Sequence, residues 1–250
     1  MTPDYAQFMA SQIQAMDELT SYVHHHFRHP PTAEGSYWFS FEGIEGSGKS
    51  TQSQKLQEVL SKKNYTVCLF REPGGSELGE ALRHLLLHQP RSTPWETLSE
   101  LFLFLAARVQ LFQQQIIPLL QKPRHIVLLD RSLLSSLAYQ GIGRRLGLKS
   151  VLELHQQAPL SFIPHKTFLF SLSADLSLQR IHQRRQQSSS PLKDTFEEEK
   201  KDFFQALEEG YRLSSTLFSS TITEIDGSLP IEKIHQHLLT EIQLIISQDS

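Results

Sequence analysis

Apolar positions along the chain follow two rhythms. Dense short runs stand at YWFSFEG (37–43), YTVCLFRE (65–72), HIVLLD (125–130), KTFLFSLS (166–173) and TITEID (221–226), and they predict strands. Between them apolar residues recur every three or four positions, predicting helices over about 49–62, 77–88, 95–121, 148–157, 174–186, 195–217 and 230–247. Strands separated by helix-length segments require crossovers, so the expected fold is α/β, with a five-stranded, mostly parallel sheet flanked by helices. HIVLLD and KTFLFSL are apolar without alternation, as in central strands covered on both faces.

Residues 1–35 stand apart. Phe8, Ile13, Met16, Leu19, Tyr22 and Val23 recur at helical spacing and predict one helix ending before Pro30 and Pro31. PPTAEG then reads as a linker. The division is therefore an N-terminal helical extension over 1–35 and a main domain over 36–250. His24, His25 and His26 are consecutive and point to different sides of a helix, a poor geometry for a metal. QQSSSPLK (186–193) reads as a mobile loop between two helices.

Composition narrows the function. A net charge of −3 argues against a general nucleic-acid binder. The single Cys68 excludes an intrachain disulfide, suits the cytoplasm, and sits in an apolar run that predicts a buried thiol. LFLFLAARVQLF is interrupted by Arg108, and no run reaches the length of a membrane helix.

The chemistry starts after the first strand. Gly43-Ile44-Glu45-Gly46-Ser47-Gly48-Lys49-Ser50, followed by Thr51, satisfies G-x-x-x-x-G-K-[ST]. The glycines let backbone N–H groups approach phosphate oxygens. Lys49 reaches the β and γ phosphates, and Ser50 offers a hydroxyl to Mg²⁺. A strand precedes and an amphipathic helix follows, so the loop also gains a helix N-terminus. The ligand this implies is ATP. No Asn-Lys-x-Asp guanine reader is present, which argues against a GTPase. Asp130 ends an apolar strand, where a carboxylate suits the Mg²⁺ shell. Arg131 follows it, and Arg71 ends the second strand at the same sheet edge. Two arginines there can clamp a second phosphate, the pattern of nucleoside monophosphate kinases.

FEGIEGSGKSTQ, REPGGSELGEALRHLLL, LFLFLAARVQLF, LLDRSLLSSLAYQGIGR and a late Tyr-Arg pair occur in order over about 37–247. Together they resemble bacterial thymidylate kinase. The resemblance implies ATP + dTMP → ADP + dTDP with Mg²⁺, a step toward dTTP, in a homodimer that binds neither nucleic acid nor membrane. It implies that Arg71 and Arg131 hold the dTMP phosphate, and that Glu45 lies near the deoxyribose 3′-hydroxyl. Glu72 and Asp130 would stand beside the reacting phosphates and metal. Phe104 would stack on thymine, Arg108 would donate to a thymine carbonyl, and Arg83 would lie on the thymine side. Ser136, Tyr139 and Gln140 would line the base and sugar pocket. Taken singly, Phe104 and Tyr139 read as core residues; the joint pattern carries the assignment.

The loop itself has no arginine, and the resemblance implies a lid arginine instead. The lid is placed at about 180–197, with Arg184 as first choice and Arg180 and Arg185 as alternatives. Three features depart from the family. Thr195 replaces the arginine of Asp-Arg-x-Glu, Ser-Ser-Ser-Pro lengthens the lid, and residues 1–35 are additional. The extension could pack outside, join the dimer, or bind a partner; helix 95–121 is the candidate dimer interface. Two other readings stay open: a kinase for another deoxynucleoside monophosphate, and a nucleotide-binding regulator with lapsed catalysis.

Overall fold

The computed structural model describes residues 3–89, 93–187 and 195–248. Its elements are α1 (Pro3–Gln14), α2 (Met16–His26), β1 (Tyr37–Glu42), α3 (Lys49–Leu60), β2 (Thr66–Arg71), α4 (Glu77–Arg83) and α5 (Thr97–Leu111). They continue with α6 (Ile117–Leu120), β3 (His125–Asp130), α7 (Leu133–Ser136), α8 (Leu148–His155) and β4 (Lys166–Ser171). The last are α9 (Ala174–Gln187), α10 (Lys201–Leu217), β5 (Ile222–Asp226) and α11 (Ile231–Gln248).

The strands form one sheet in the order β2-β3-β1-β4-β5, and every pairing is parallel. The uninterrupted apolar strands β3 and β4 flank β1 in the centre, as their lack of alternation predicts. All six residues of β1 are buried. The sheet's carboxyl edge therefore presents the loop after β1 beside Arg71 of β2 and Asp130 of β3, which are register partners. Cys68 is only half-buried, because β2 is an edge strand.

Four local differences from the sequence reading have physical causes. The N-terminal helix is two helices broken at Ala15. Helix 95–121 widens into a π turn at Phe112–Ile116 before α6. Pro118 follows, and its missing N–H disrupts the regular ladder. Residues 133–143, unassigned from sequence, form α7 and a π-helical segment over Leu137–Gly143. Small residues allow close packing here: a Cβ at Gly143 would meet Phe203 Cε2 at 2.7 Å. The Gly210 position of α10 would place a Cβ 2.8 Å from the Ala138 Cα. Finally, 195–217 begins with a 3₁₀ turn at Thr195–Glu198, separated from α10 by an extended Lys200. Of the loop assigned to 186–193, Gln186 and Gln187 end α9, and the rest lies outside the described residues.

The N-terminal helices pack onto the main domain. Tyr5, Met9, Leu19, Val23 and Phe27 belong to the same buried cluster as Leu148, Val151, Leu152 and Leu207. The linker is tied down by Ala33 N–H to the Leu120 carbonyl and by Arg124 N–H to that of Glu34.

Candidate active site

A cavity of about 430 Å³ opens at the carboxyl edge of the sheet. That volume suits a small-molecule ligand. Glu45, Gly46, Gly48, Lys49, Ser50 and Thr51 line one end. Gly43, Gly46 and Gly48 have φ values of 138°, 75° and 100°, a left-handed path open to glycine that turns the loop around its centre. Lys49 donates to the carbonyls of Gly43 and Ile44 at 2.9 and 2.8 Å and to Ser47 Oγ at 3.2 Å. Burial and neighbouring Arg131 push its ammonium down to about 8. Gly43, Ile44 and Ser47 are not among the lining residues. For Ile44 the reason is plain. Its side chain is buried in the core and faces a second cavity, so only its backbone serves the loop.

Ser50 Oγ donates to Asp130 Oδ2 at 2.5 Å, which joins the first turn of α3 to the end of β3. A hydroxyl and a carboxylate are hard oxygen donors that fit Mg²⁺, an ion completed by water and phosphate rather than by a protein cage. Among the described residues no cluster of three or more His, Cys, Asp or Glu forms such a cage.

Arg131 has φ 72°, an uncommon conformation for a residue with a side chain, and one concentrated at functional sites. Its guanidinium meets Glu45 Oε1 at 2.7 Å and lies over the Tyr139 ring. Tyr139 OH donates to Glu45 Oε2 at 2.5 Å. Burial alone would raise Glu45, but the charges of Arg131 and Lys49 and the tyrosine bond hold it below the ordinary carboxylate value. Arg71 lines the same cavity, is more exposed, and pairs with Glu80 at 2.9 Å.

The other end is lined by Glu72, Arg83, Phe104, Arg108, Ser136, Tyr139 and Gln140. Arg108, only 3% exposed, is the hub. It donates to Glu72 Oε2 at 2.6 Å, Ser136 Oγ at 3.1 Å and the Ser132 carbonyl at 2.8 Å. Burial raises Glu72 to about 7 despite Arg108, and its Oε1 is buried without a partner among the described residues. An orphaned carboxylate oxygen facing a cavity is a place for a ligand proton or cation. Gln140 donates to buried Glu100 at 2.9 Å, and Arg83 to the Pro73 carbonyl at 2.9 Å.

The lid arginines separate. Arg180 donates to the carbonyls of Gly46 and Gly227 at 3.0 and 2.9 Å, so it braces the phosphate loop. Arg184 also lines the cavity, is exposed, and pairs with Glu197. Arg185 shares Glu197 at 3.4 Å but does not line the cavity. Thr195 Oγ1 donates to the Leu87 carbonyl. Phe196 lines the cavity within an aromatic cluster that includes Phe104 and Tyr139.

Sequence reading missed three contributors. Glu42 is fully buried and accepts from Ser132 N, Ser135 N and Ser135 Oγ, fixing the turn that carries Arg131. Its signal was a carboxylate inside an otherwise buried strand. Tyr211 joins it at 3.3 Å and accepts from Arg131 at 3.1 Å. His155, a lone histidine on the apolar face of α8, meets Arg108.

Residues 41–238 match the thymidylate kinase family. The chain is 38% identical over 211 residues to the thymidylate kinase of Kosmotoga olearia, covering 84% of this chain and 97% of the relative. It is 37% identical over 205 residues to that of Acholeplasma laidlawii, covering 82% and 98%. Its fold superposes on the crystal structure of thymidylate kinase from Ehrlichia chaffeensis with a TM-score of 0.63 and 27% identity, covering 83% and 99%. Sharing that family's sequence over most of its length and the fold of a solved member, the chain belongs to the thymidylate kinase family.

Proposed function

We propose that the protein phosphorylates dTMP to dTDP with ATP, supplying the path to dTTP. The carrying observation is the single cavity that joins the Lys49–Ser50–Asp130 end to the Arg71, Arg131 and Arg108 end. A nucleotide triphosphate at the first and a nucleoside monophosphate at the second would meet between Asp130 and Arg131.

In this reading a phosphate oxygen of dTMP attacks the γ-phosphorus of ATP as the bond to the β-phosphate oxygen breaks. No covalent enzyme intermediate is needed; catalysis is positioning and charge neutralisation. Backbone N–H groups of residues 43–51 and Lys49 hold the donor phosphates. Arg71 and Arg131 hold the acceptor phosphate. Arg184, exposed and paired with Glu197, would leave that partner to cover the migrating group, while Arg180 keeps the loop in shape. Ser50 and Asp130 would hold Mg²⁺, which neutralises charge on the donor phosphates. Glu72 offers its unpartnered oxygen to the reacting region. Phe104, Arg83, Ser136, Tyr139 and Gln140 enclose base and sugar, with Glu45 near the 3′-hydroxyl.

Residues 36–250 form the catalytic unit in this proposal and 1–35 an addition to it; the match to the family begins at residue 41. Leu98 and Phe102 are exposed apolar residues on α5, and they support a homodimer contact there. Among the described residues no helix is long and apolar enough to cross a membrane. The lone Cys68 and the substrates suit the cytoplasm.

The test is ADP release from ATP and Mg²⁺ with dTMP, dUMP, dCMP, dGMP and dAMP offered separately. Strong preference for dTMP is expected. Equal turnover of all five would remove the base assignment, and ATP binding without any turnover would leave a nucleotide-binding regulator.

A further inference from the structure

His155 lies at the end of α8 with no exposed surface. Its Nε2 is 2.6 Å from Arg108 Nη1, and its Nδ1 is 2.7 Å from the Val151 carbonyl. A guanidinium has no lone pair to offer, so Nε2 accepts and is unprotonated; Nδ1 then carries the proton and donates it to Val151. One tautomer satisfies both contacts. Burial, reinforced by the adjacent guanidinium, pushes the imidazolium down to about 3, so the ring is neutral in the working range.

The consequence falls on Arg108. Its Nε–H is taken by Glu72, its two Nη1 hydrogens by Ser136 and His155, and one Nη2 hydrogen by the Ser132 carbonyl. Among the described residues these partners use four of its five N–H groups, fixing the plane of the fork and leaving one Nη2 hydrogen for a ligand. Glu72 follows β2, and Ser132 and Ser136 follow β3. His155 alone comes from α8.

The N-terminal helices also hold α8. Gln12 Oε1 accepts from Leu148 N–H at 2.9 Å, the first residue of α8. Glu18 pairs with Lys149 at 2.8 Å, and Tyr22 OH donates to Gln156 at 2.7 Å just past the other end. The extension thus straps α8 at both ends, while Leu19 and Val23 share its apolar cluster.

We infer that His155 is a positioning residue for acceptor recognition: it sets the guanidinium plane of Arg108, and the N-terminal helices hold the helix that presents it. This rests on the reading of Arg108 as part of the dTMP pocket. Steady-state kinetics of the full chain, varying dTMP and ATP separately, tests it alongside melting temperature.

His155→Phe keeps the ring volume and removes the acceptor. It is expected to raise the KM for dTMP by about tenfold, the scale of one hydrogen bond to a charged group, with the KM for ATP within about twofold. His155→Gln, whose amide oxygen can accept in place of Nε2, should recover most of the loss. The pair Gln12→Ala with Tyr22→Phe should shift the KM for dTMP by about threefold in the same direction. An unchanged KM for dTMP in His155→Phe, or an equal rise in both KM values without rescue by glutamine, overturns the inference. If His155→Phe does not fold, His155→Leu takes its place, and an unchanged KM for dTMP in that variant, or in the Gln12/Tyr22 pair, overturns it as well. Arg108→Lys separates the two levels. If it leaves the KM for dTMP unchanged, the pocket reading fails; if it raises that KM while the His155 variants do not, the pocket stands and the positioning role falls.

Discussion

The two ends of the cavity are built differently. At the Lys49 end the phosphate loop is one continuous stretch of chain, its path set by glycine φ values and backbone groups, with Asp130 and Arg180 joined to it from elsewhere. The Arg108 end is assembled from Glu72, Ser132, Ser136 and His155, residues up to 47 positions from Arg108. A contiguous backbone cradle takes most of its shape from the strand and helix that flank it. A side-chain network needs the packing of every element that contributes to it. The first should tolerate tertiary loosening, and the second should not.

Lys49→Ala gives the sharpest test of the cradle. It removes the one ammonium among the loop's phosphate contacts, and turnover should fall by about a thousandfold with the fold intact, read by ADP release and circular dichroism. A mutant with near wild-type turnover would break the donor side of the comparison.

Leu19→Ala attacks the other side from a distance. This side chain is 1% exposed and lies in the core that carries α8. Unfolding free energy should drop by about 2–5 kcal/mol in urea titration. If the extension were merely surface decoration, the loss would stay well below that range.

Phe104→Ala removes the aromatic wall facing Phe196. The KM for dTMP should rise by about tenfold, the value of one base stack, and the KM for ATP should not move. Equal changes in both would show that the ends are not separate.

The smallest effect is set by pH. Lys49 is depressed to about 8, so it loses its charge as pH rises from 7 to 9. Only the protonated form attracts phosphate. ATP affinity measured by calorimetry should therefore weaken by up to about tenfold over that range, with proton uptake on binding near pH 8. Lys49→Arg should flatten the dependence.

The same contrast governs what was legible in the primary structure. The strand–loop–helix around Lys49 and the central places of β3 and β4 could be read directly, because local spacing and apolar continuity specify them. The segment 133–143 was not, since nothing along the chain shows that a Cβ at Gly143 would meet Phe203 Cε2 at 2.7 Å or that Gly210 must stay small against Ala138. Glu42 and His155 were passed over because each looks ordinary beside its chain neighbours; their meaning lies in Ser132, Ser135 and Arg108, which the fold brings to them. The arginines Arg180 and Arg184 share one helical face in sequence, and only the position of Gly46 and Gly227 separates their roles.

By itself, then, the sequence determined the α/β layout, the phosphate loop and the set of side chains available at the sheet's carboxyl edge, because these follow from neighbours in the chain. Tertiary structure decided that the first helices brace α8, that Glu72, Ser132, Ser136 and His155 converge on Arg108, and that Glu72 and Lys49 move to about 7 and 8. Those outcomes depend on desolvation and on charges brought close by folding, which spacing along the chain does not encode.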